Sequence, residues 1–258
     1  MDVRLDGHVA LVTGASLGIG RAIATQFSAS GAAVAIVGRR TDVLETARAA
    51  IASETGGQVF AVPADVADAA DCARAFASAT AAFGPIDILV NNAGTSRRKP
   101  FTEITDAVWR ADLDLKLFGV IRLARLAIPA MRAKRWGRIL NVLNIGAKAP
   151  TAGAAPTAVS RAAGLALTKV LASELAPDNI LVNALLVGRI QSDQWEKRAA
   201  AEGKDLAAFY AQMSKPIPLG RVGRAEEFAA LACFLASDAG GYITGTAINV
   251  DGGASPVV

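Results

Sequence analysis

The sequence has 258 residues, and its 27 Lys and Arg residues against 23 Asp and Glu residues give a formal net charge of +4. The single histidine, His8, excludes a multi-histidine metal site, and the isolated Cys72 and Cys233 lack the spacing of a zinc site or a dithiol redox pair. Hydrophobic residues make up 52% of the chain, which is ample for a buried core, but no stretch reaches the roughly 18 consecutive apolar residues of a membrane span.

Short apolar runs rich in Val, Ile and Ala alternate with longer segments of helical period. The runs predict strands at residues 8–13, 32–38, 58–63, 86–91, 138–143, 179–187 and 246–250, and the segments predict helices at about 18–30, 41–55, 67–83, 103–134, 156–176 and 224–238. Nearly continuous apolar character suits strands that are covered on both faces. The alternation therefore predicts an α/β fold with a doubly wound, seven-stranded parallel sheet, and its unbroken series predicts a single domain over residues 1–258.

The first predicted strand leads directly into the sequence Thr-Gly-Ala-Ser-Leu-Gly-Ile-Gly at residues 13–20 and then into a helix. Gly14, Gly18 and Gly20 permit a tight turn and let the backbone approach a pyrophosphate, which the free N–H groups of the helix N-terminus stabilise. A strand-to-helix turn without a ligand is the alternative. The turn predicts a dinucleotide site because a strand precedes it and a helix follows it.

The end of the second predicted strand reads Gly38-Arg39-Arg40, with no acidic residue. An acid at this place binds ribose hydroxyls and repels a 2′-phosphate, whereas an arginine forks onto the phosphate. Arg39 therefore favours NADP(H) over NAD(H). The alternative is a solvated pair of arginines at the start of a helix.

Residues 188–222 interrupt the rhythm of strands and helices with polar residues and two prolines, Pro216 and Pro218. An insertion after a strand of an open parallel sheet is the usual place for a substrate lid. Four aromatic or sulfur-containing side chains in it are predicted to cover an apolar part of a substrate or to pack the lid itself: Trp195, Phe209, Tyr210 and Met213. Tyr210 is also a candidate replacement proton donor.

These motifs together resemble the short-chain dehydrogenase/reductase family over nearly the whole chain. The glycine turn at 13–20, the Asp65-Val66 pair, the Asn-Asn-Ala-Gly turn at 91–94 and the C-terminal segments at 218–224, 242–245 and 250–253 match that family's motifs in order. The resemblance implies a Rossmann fold and a homo-oligomer, a tetramer or a dimer. With the glycine and Arg39 arguments, it gives these cofactor-binding residues: Gly14, Ser16, Leu17, Gly18, Ile19, Arg39, Asp65, Val66, Asn92, Ala93, Gly94, Arg161, Gly188 and Ile190.

The family's chemistry depends on an Asn-Ser-Tyr-Lys group, and all four positions are substituted in this chain. The resemblance places the Tyr and Lys positions at Thr157 and Arg161, the Ser position at Asn144 and the Asn position at Lys116. A threonine hydroxyl does not ionise as a tyrosine does, and an arginine does not give up its proton. Lys116 is the one substituted residue that titrates, although an outward-pointing helix lysine is the alternative for it.

Three hypotheses for the reaction remain open. In the first, NADP(H) exchanges a hydride with a carbonyl or hydroxyl substrate, Asn144 and Thr157 orient its oxygen, and Lys116 or water supplies the proton. In the second, Lys116 and Arg161 stabilise an enolate in a lyase or isomerase step on the same scaffold. In the third, the chain is a catalytically inactive nucleotide-binding subunit. A simple anion-binding module without a cofactor is a further alternative.

Basic residues follow several predicted strands, where ligands of a parallel sheet bind. These basic residues are Arg97, Arg98, Lys99, Lys148 and Arg189. Together with Lys116 and Arg161 they predict a positive pocket for an anionic substrate, and the alternative is that they are independent solvated charges. No nucleic-acid motif accompanies the basic run at 97–99, so we expect no nucleic-acid partner. Charged residues at the N-terminus replace the apolar core of a signal peptide, so we expect a cytoplasmic protein without a membrane anchor. The single histidine and the isolated cysteines lead us to expect no bound metal.

Overall fold

Seven parallel strands form one sheet in the computed structural model, which describes residues 3–97 and 99–258. The strands are β1 (Val9–Thr13), β2 (Ala33–Gly38), β3 (Val59–Pro63), β4 (Ile88–Asn91), β5 (Gly137–Asn144), β6 (Ile180–Val187) and β7 (Ala247–Val250). Their order across the sheet is β3-β2-β1-β4-β5-β6-β7, and every neighbouring pair is parallel. The predicted doubly wound, seven-stranded Rossmann fold is confirmed.

Helices cover both faces of the sheet. They are α1 (Gly18–Ala29), α2 (Thr41–Thr55), α3 (Ala69–Phe83), α4 (Asp106–Leu113), α5 (Gly119–Lys134), α6 (Thr157–Leu175), α7 (Asp193–Ala201), α8 (Leu206–Ser214) and α9 (Ala225–Ala236). One buried core joins the sheet to α1, α2 and α9, and the other joins it to α3, α5 and α6. Along β1, Ala10 and Val12 enter the first core while Val9 and Leu11 enter the second. This alternation is why the strands are apolar at successive positions.

The strand order reverses its direction across the sheet between β1 and β4, and this reversal creates a crevice between these two strands. From β1 the chain continues outward through β2 and β3, and it then returns to β4 on the other side of β1. The loops that follow β1 and β4 consequently leave the sheet toward opposite faces. In open α/β sheets this switch point, at the carboxyl ends of the strands, is where ligands bind.

The segment predicted as one helix over 103–134 is helical without a break over residues 106–134, with a change of helix type inside it. A 3₁₀ turn (Phe101–Glu103) comes first, and Thr105 then caps α4 by accepting a hydrogen bond from the Val108 N–H. A wide π-type turn (Asp114–Phe118) separates α4 from α5. The prediction of a helix therefore holds from residue 106 onward, but the helix begins about three residues later than predicted because Thr105 caps it, and the wide turn inside it shifts the helical phase.

The predicted lid at 188–222 contains two helices, α7 and α8, that the sequence pattern does not predict. They surround a small apolar cluster of their own, built from Ala199, Phe209, Met213, Ile217 and Val222. Phe209 and Met213 therefore pack the lid. Among the residues that the structure describes, no helix is both long enough and apolar enough to cross a membrane.

Candidate active site

A cleft of about 830 Å³ opens at the carboxyl ends of the central strands, at the switch point of the sheet. All fourteen residues predicted to bind the cofactor line it: Gly14, Ser16, Leu17, Gly18, Ile19, Arg39, Asp65, Val66, Asn92, Ala93, Gly94, Arg161, Gly188 and Ile190. Asn144 and Thr157 also line it. His8 directly precedes β1, at the amino ends of the strands, where its ring stacks on Trp136 with the ring centroids 3.9 Å apart. His8 therefore does not line the cleft.

Glycines let the turn after β1 lie directly against the turn after β4. Gly14 has a φ of +65°, and a Cβ placed on it would stand 2.8 Å from the Ala93 Cα. A Cβ on Gly20 would overlap the Gly14 carbonyl oxygen. The glycines are thus required by close backbone approach, and the absence of side chains leaves the N-terminus of α1 open to the cleft.

Hydrogen bonds fix these two turns together. The Thr13 hydroxyl accepts from the Asn92 and Ala93 N–H groups, each at 3.0 Å, and donates to the Val90 carbonyl at 3.2 Å. The Asn92 amide donates to the Thr13 and Gly14 carbonyls at 2.9 and 3.0 Å. The floor of the cleft is therefore held rigid before any ligand binds.

Two arginines face the outer end of the cleft. Arg39 and Arg40 follow β2, and both line the opening. The Arg39 Nη1 lies 4.0 Å from the Asp65 Oδ2, with both side chains substantially exposed. A solvated pair at this separation holds the guanidinium weakly, so Arg39 is free to turn to a stronger anion such as a phosphate.

The inner end of the cleft contains a closed network around Thr157, the first residue of α6. The Thr157 hydroxyl accepts a hydrogen bond from the Lys116 Nζ at 2.8 Å and another from the Arg97 N–H at 3.0 Å. It donates to the Arg97 carbonyl at 2.9 Å. The hydroxyl thus bridges the cleft wall and a lysine that lies behind it.

Lys116 points inward, so the alternative of an outward-pointing lysine is wrong. Its side chain is fully buried and does not line the cleft, and its ammonium also donates to the Asp112 carboxylate. Burial, together with the nearby charges of Arg161 and Arg97, lowers the pKa of Lys116 to about 8, although the hydrogen bond to Asp112 and the charge of that carboxylate oppose the shift. The amine therefore has access to both protonation states near neutral pH.

Arg161 is buried beneath the turn after β4. Its Nη1 donates to the Val142 carbonyl at 2.9 Å, and a Cβ on Gly94 would overlap its Nη2. Burial lowers the pKa of the Arg161 guanidinium to about 10, and the Asp112 carboxylate opposes that effect. Arg161 consequently remains a positive charge in the wall of the cleft at neutral pH.

Asn144 is the last residue of β5 and lines the cleft. Its Oδ1 is buried and has no hydrogen-bond partner in the described part of the chain. The Oδ1 faces Gly146, whose missing side chain leaves room for it. The amide group is therefore not tied to the surrounding protein, and its NH₂ group is available to an oxygen in the cleft.

The sequence reasoning missed Asp112 and Ser160, which complete the network. Asp112 is buried on α4 and accepts from Lys116 through one oxygen and from the Ser160 hydroxyl, at 2.7 Å, through the other. A signal was present, because Asp112 stands four residues before Lys116 and residues at this spacing face each other on a helix.

The predicted positive pocket does not form as a set. Lys148 donates to the Ala247 carbonyl at 2.6 Å and Arg189 donates to the Met213 carbonyl at 2.6 Å, so backbone oxygens of β7 and α8 bind both cations. Arg97 and Lys99 are exposed, and Arg98 lies outside the described residues. Among the described cations of this set, Arg161 lines the cleft.

Tyr210 does not reach the cleft either. It lines a separate recess of about 500 Å³ with Arg221 and Arg224, and its hydroxyl is buried without a partner among the described residues. Tyr210 therefore does not line the cleft with Asn144 and Thr157, and its role as a replacement proton donor stays a prediction. Of the four lid side chains, Trp195 lines the cleft.

The class of protein follows from the sheet order, the glycine turn and a family match. The model of a family described as enoyl-(acyl carrier protein) reductase matches residues 14–255. The chain belongs to the short-chain dehydrogenase/reductase family, and it is an oxidoreductase of that type.

Individual relatives cover nearly the whole chain. It is 35% identical to the 3-oxoacyl-(acyl-carrier-protein) reductase of Aquifex aeolicus over 253 residues, which are 98% of this chain and 99% of the relative. It is 37% identical to the Escherichia coli enzyme of the same name over 251 residues, with 97% and 98% covered. Among solved structures, L-sorbose reductase from Gluconobacter frateurii, complexed with NADPH and L-sorbose, matches with a TM-score of 0.95 at 34% identity and full coverage of both chains.

Proposed function

We propose that this protein is an NADP(H)-dependent oxidoreductase that interconverts a carbonyl and a hydroxyl group, with Lys116 as the proton source acting through the Thr157 hydroxyl. The observation that carries this proposal is the 2.8 Å hydrogen bond from the buried Lys116 Nζ to Thr157, whose hydroxyl lies in the wall of the cleft. This pair stands where the family resemblance expects a tyrosine and an asparagine. Thr157, Lys116, Asn144 and Arg161 thus form an unusual active site.

The cleft fits a dinucleotide. Its glycine turn is closed to any side chain at Gly14 and Gly20, and its floor is fixed by Thr13 and Asn92. The N-terminus of α1 would hold the pyrophosphate, Arg39 a 2′-phosphate, and Asp65 and Val66 the adenine end. When bound, the nicotinamide supplies or accepts the hydride.

The proton route uses residues that already contact each other. In the reducing direction the Thr157 hydroxyl gives its proton to the substrate oxygen and takes one from the Lys116 ammonium, which leaves a neutral amine. The oxidising direction reverses both transfers. Threonine passes the proton on without becoming an alkoxide, so its high pKa is no obstacle, and the Lys116 pKa of about 8 suits a group that both gives and takes a proton near neutral pH.

For this step the Thr157 hydroxyl turns away from the Arg97 carbonyl, to which it donates in the free protein. The hydrogen bond that it accepts from Lys116 is retained during the turn. A substrate oxygen in the cleft takes the place of that carbonyl as the acceptor. Substrate binding therefore competes with one neutral hydrogen bond, an exchange that costs about 1 kcal/mol or less.

Asn144 and Arg161 act on the substrate without exchanging protons. The Asn144 amide donates to the substrate oxygen from the end of β5, where it lines the cleft. Arg161 keeps a permanent charge in the cleft wall, where it binds ribose hydroxyls and stabilises negative charge that develops on the oxygen.

The substrate that we propose is a small carbonyl compound or the matching alcohol. Relatives named for 3-oxoacyl thioesters and for L-sorbose both reduce a ketone. An anionic substrate stays a prediction that rests on Arg161 and on the outer cations Arg39, Arg40 and Lys197, which line the cleft.

We also propose that the protein forms a homo-oligomer. Four apolar side chains of the α5 and α6 region are substantially exposed in the single chain, namely Phe118, Leu126, Val159 and Val170. Val159 and Val170 lie three helical turns apart on one face of α6, and covering such a face stabilises an association. A cytoplasmic location and the absence of nucleic-acid partners also stay predictions.

The function is tested by measuring NADPH oxidation with L-sorbose and with a 3-oxoacyl thioester as probes, in the wild type, Thr157→Val and Thr157→Ser. Valine keeps the shape of threonine and removes the hydroxyl, whereas serine keeps the hydroxyl. We expect Thr157→Val to lower kcat by about 10²–10⁴-fold and Thr157→Ser to stay within about tenfold of the wild type. Equal rates for the two variants would contradict the proton route.

A second candidate is a nucleotide-binding subunit without turnover, which the three hydrogen bonds of the Thr157 hydroxyl favour, because they leave it no free capacity in the ligand-free protein. NADPH binding without oxidation by any carbonyl probe would support this candidate. A lyase or isomerase would instead consume its substrate while the amount of NADPH stays constant.

A further inference from the structure

Asp112 is a buried carboxylate that the proton route does not include. It is 1% exposed, lies on α4 behind Lys116 and does not line the cleft. Its two oxygens accept from two different groups, the Lys116 ammonium and the Ser160 hydroxyl. A buried carboxylate without these partners would be strongly unfavourable, so the three side chains form one unit.

We propose that Asp112 is a positioning residue that holds Lys116 in its charged form and directs one of its N–H bonds at the Thr157 hydroxyl. This inference rests on the proposed function, because it gives Asp112 a role in loading the proton source of that reaction. Asp112 touches neither the cleft nor the Thr157 hydroxyl, so it acts through Lys116.

The charges around Lys116 show why such a residue is needed. Three charged groups act on the ammonium: Asp112 from α4, Arg161 from α6 and Arg97 from the loop after β4. Two of the three are cations, and the site is closed to water at Lys116. Without the carboxylate, burial and the two arginines would together favour the neutral amine, which has no proton to give.

Geometry supports a directing role as well as an electrostatic one. The single hydroxyl proton of Ser160 is directed to one Asp112 carboxylate oxygen at 2.7 Å, the shorter of its two possible acceptors, and this bond fixes the carboxylate to the first turn of α6. The other carboxylate oxygen accepts from the Lys116 ammonium, which also donates to the Thr157 hydroxyl. Asp112 and Thr157 consequently hold the ammonium between them, at the boundary of α4 and the wide turn.

The effect of Asp112 on Lys116 is measured as the titration midpoint of the Lys116 side chain, by NMR of isotope-labelled lysines in the full-length protein. The Lys116 signal is identified by its loss in Lys116→Met. In Asp112→Asn we expect the Lys116 midpoint to fall by about one to three pH units. Asp114→Asn is the matched control, because Asp114 lies two residues away and pairs with Arg122. An unchanged Lys116 midpoint in Asp112→Asn would overturn the proposal.

A second experiment measures kcat as a function of pH and tests whether the Lys116 charge controls the reaction. It uses NADPH and whichever of L-sorbose and the 3-oxoacyl thioester the wild type reduces. The pH at which kcat is half its maximum should fall in Asp112→Asn by the same amount as the NMR midpoint. If Asp112→Asn does not fold, Asp112→Glu keeps the charge and displaces it. That variant should keep the midpoint and lose about tenfold or more in kcat, since misplacing a reacting group by about 1 Å costs up to about 10²-fold. Wild-type kcat in Asp112→Glu would overturn the positioning role.

The two experiments separate the failure of this inference from the failure of the proposed function. An NMR midpoint that falls in Asp112→Asn while the kcat midpoint stays in place shows that Asp112 holds Lys116 charged but that Lys116 is not the proton source. A kcat midpoint near pH 8 that stays in place together with an unchanged NMR midpoint contradicts the role of Asp112 alone.

Discussion

The depressed pKa of Lys116 predicts a distinctive dependence of stability on pH. In the unfolded chain the lysine titrates near 10.5, whereas in the folded protein burial lowers its pKa to about 8. Below pH 8 both states carry the proton, and the folded state bears the full cost of the buried charge, about 3 kcal/mol by the pKa difference. Between pH 8 and 10.5 the unfolded chain binds more protons, so stability rises with pH.

The measurement compares urea unfolding curves of the wild type with those of the double variant Lys116→Met/Asp112→Asn. The double variant removes both charges at similar volume and leaves no unpaired charge behind. We expect the wild type to gain about 1–2 kcal/mol relative to the double variant between about pH 8 and pH 9.5. Tryptophan fluorescence reports unfolding, at one protein concentration throughout.

The comparison between variants is essential because other groups titrate in the same range. Burial raises the pKa of the Cys72 and Cys233 thiols, so their contribution to stability decreases as the pH rises through about 9. That contribution is the same in both proteins and cancels in the difference. Parallel pH dependences of the wild type and the double variant would refute the reasoning on Lys116.

Three further predictions concern the cofactor, the cleft wall and assembly. Arg39→Ala should weaken NADPH binding by about 10–100-fold and NADH binding by less than about threefold, measured by calorimetry; an equal loss for both would contradict the NADP(H) preference. Gly94→Ala should displace the Arg161 guanidinium and weaken binding of both cofactors by about tenfold or more, whereas unchanged affinity would show that Arg161 does not contact the ribose. Val170→Glu should convert the oligomer to smaller species in analytical ultracentrifugation, with Lys169→Glu as the control on the same helix, and an unaltered mass would place the interface elsewhere.

Much of the fold could be predicted because its signals are local. The strands are continuous apolar runs, and the strand-to-helix alternation alone restricts the sheet to parallel crossovers. The helices α7 and α8 could not be predicted in this way, because they are stabilised by the separate cluster around Phe209 and Met213 rather than by the main core. The start of the helical stretch at 106–134 and the wide turn within it were missed because they depend on the Thr105 cap and on a change of helical phase.

The site was predictable to the level of residue positions and not to the level of contacts. The glycine turn and the turn after β4 carry their own spacing, so the lining of the cleft could be predicted from the sequence. The direction of Lys116 depends on Asp112 and on α6, which contacts it from a distant part of the chain. Lys148 and Arg189 follow strands as a substrate-binding cation would. In the folded chain, however, both donate hydrogen bonds to backbone carbonyls that are distant in the sequence.

The central claim is that Lys116 supplies the proton through Thr157, and the pH dependence of single-turnover NADPH oxidation tests it most directly. With enzyme and NADPH mixed against a saturating carbonyl probe, the wild-type rate should be constant below about pH 7 and fall about tenfold per pH unit well above a midpoint near 8, because only the ammonium donates. Lys116→Met, checked for folding and for NADPH binding, should be at least about 100-fold slower and show no such midpoint. A wild-type midpoint near 8 that persists in Lys116→Met would contradict the account.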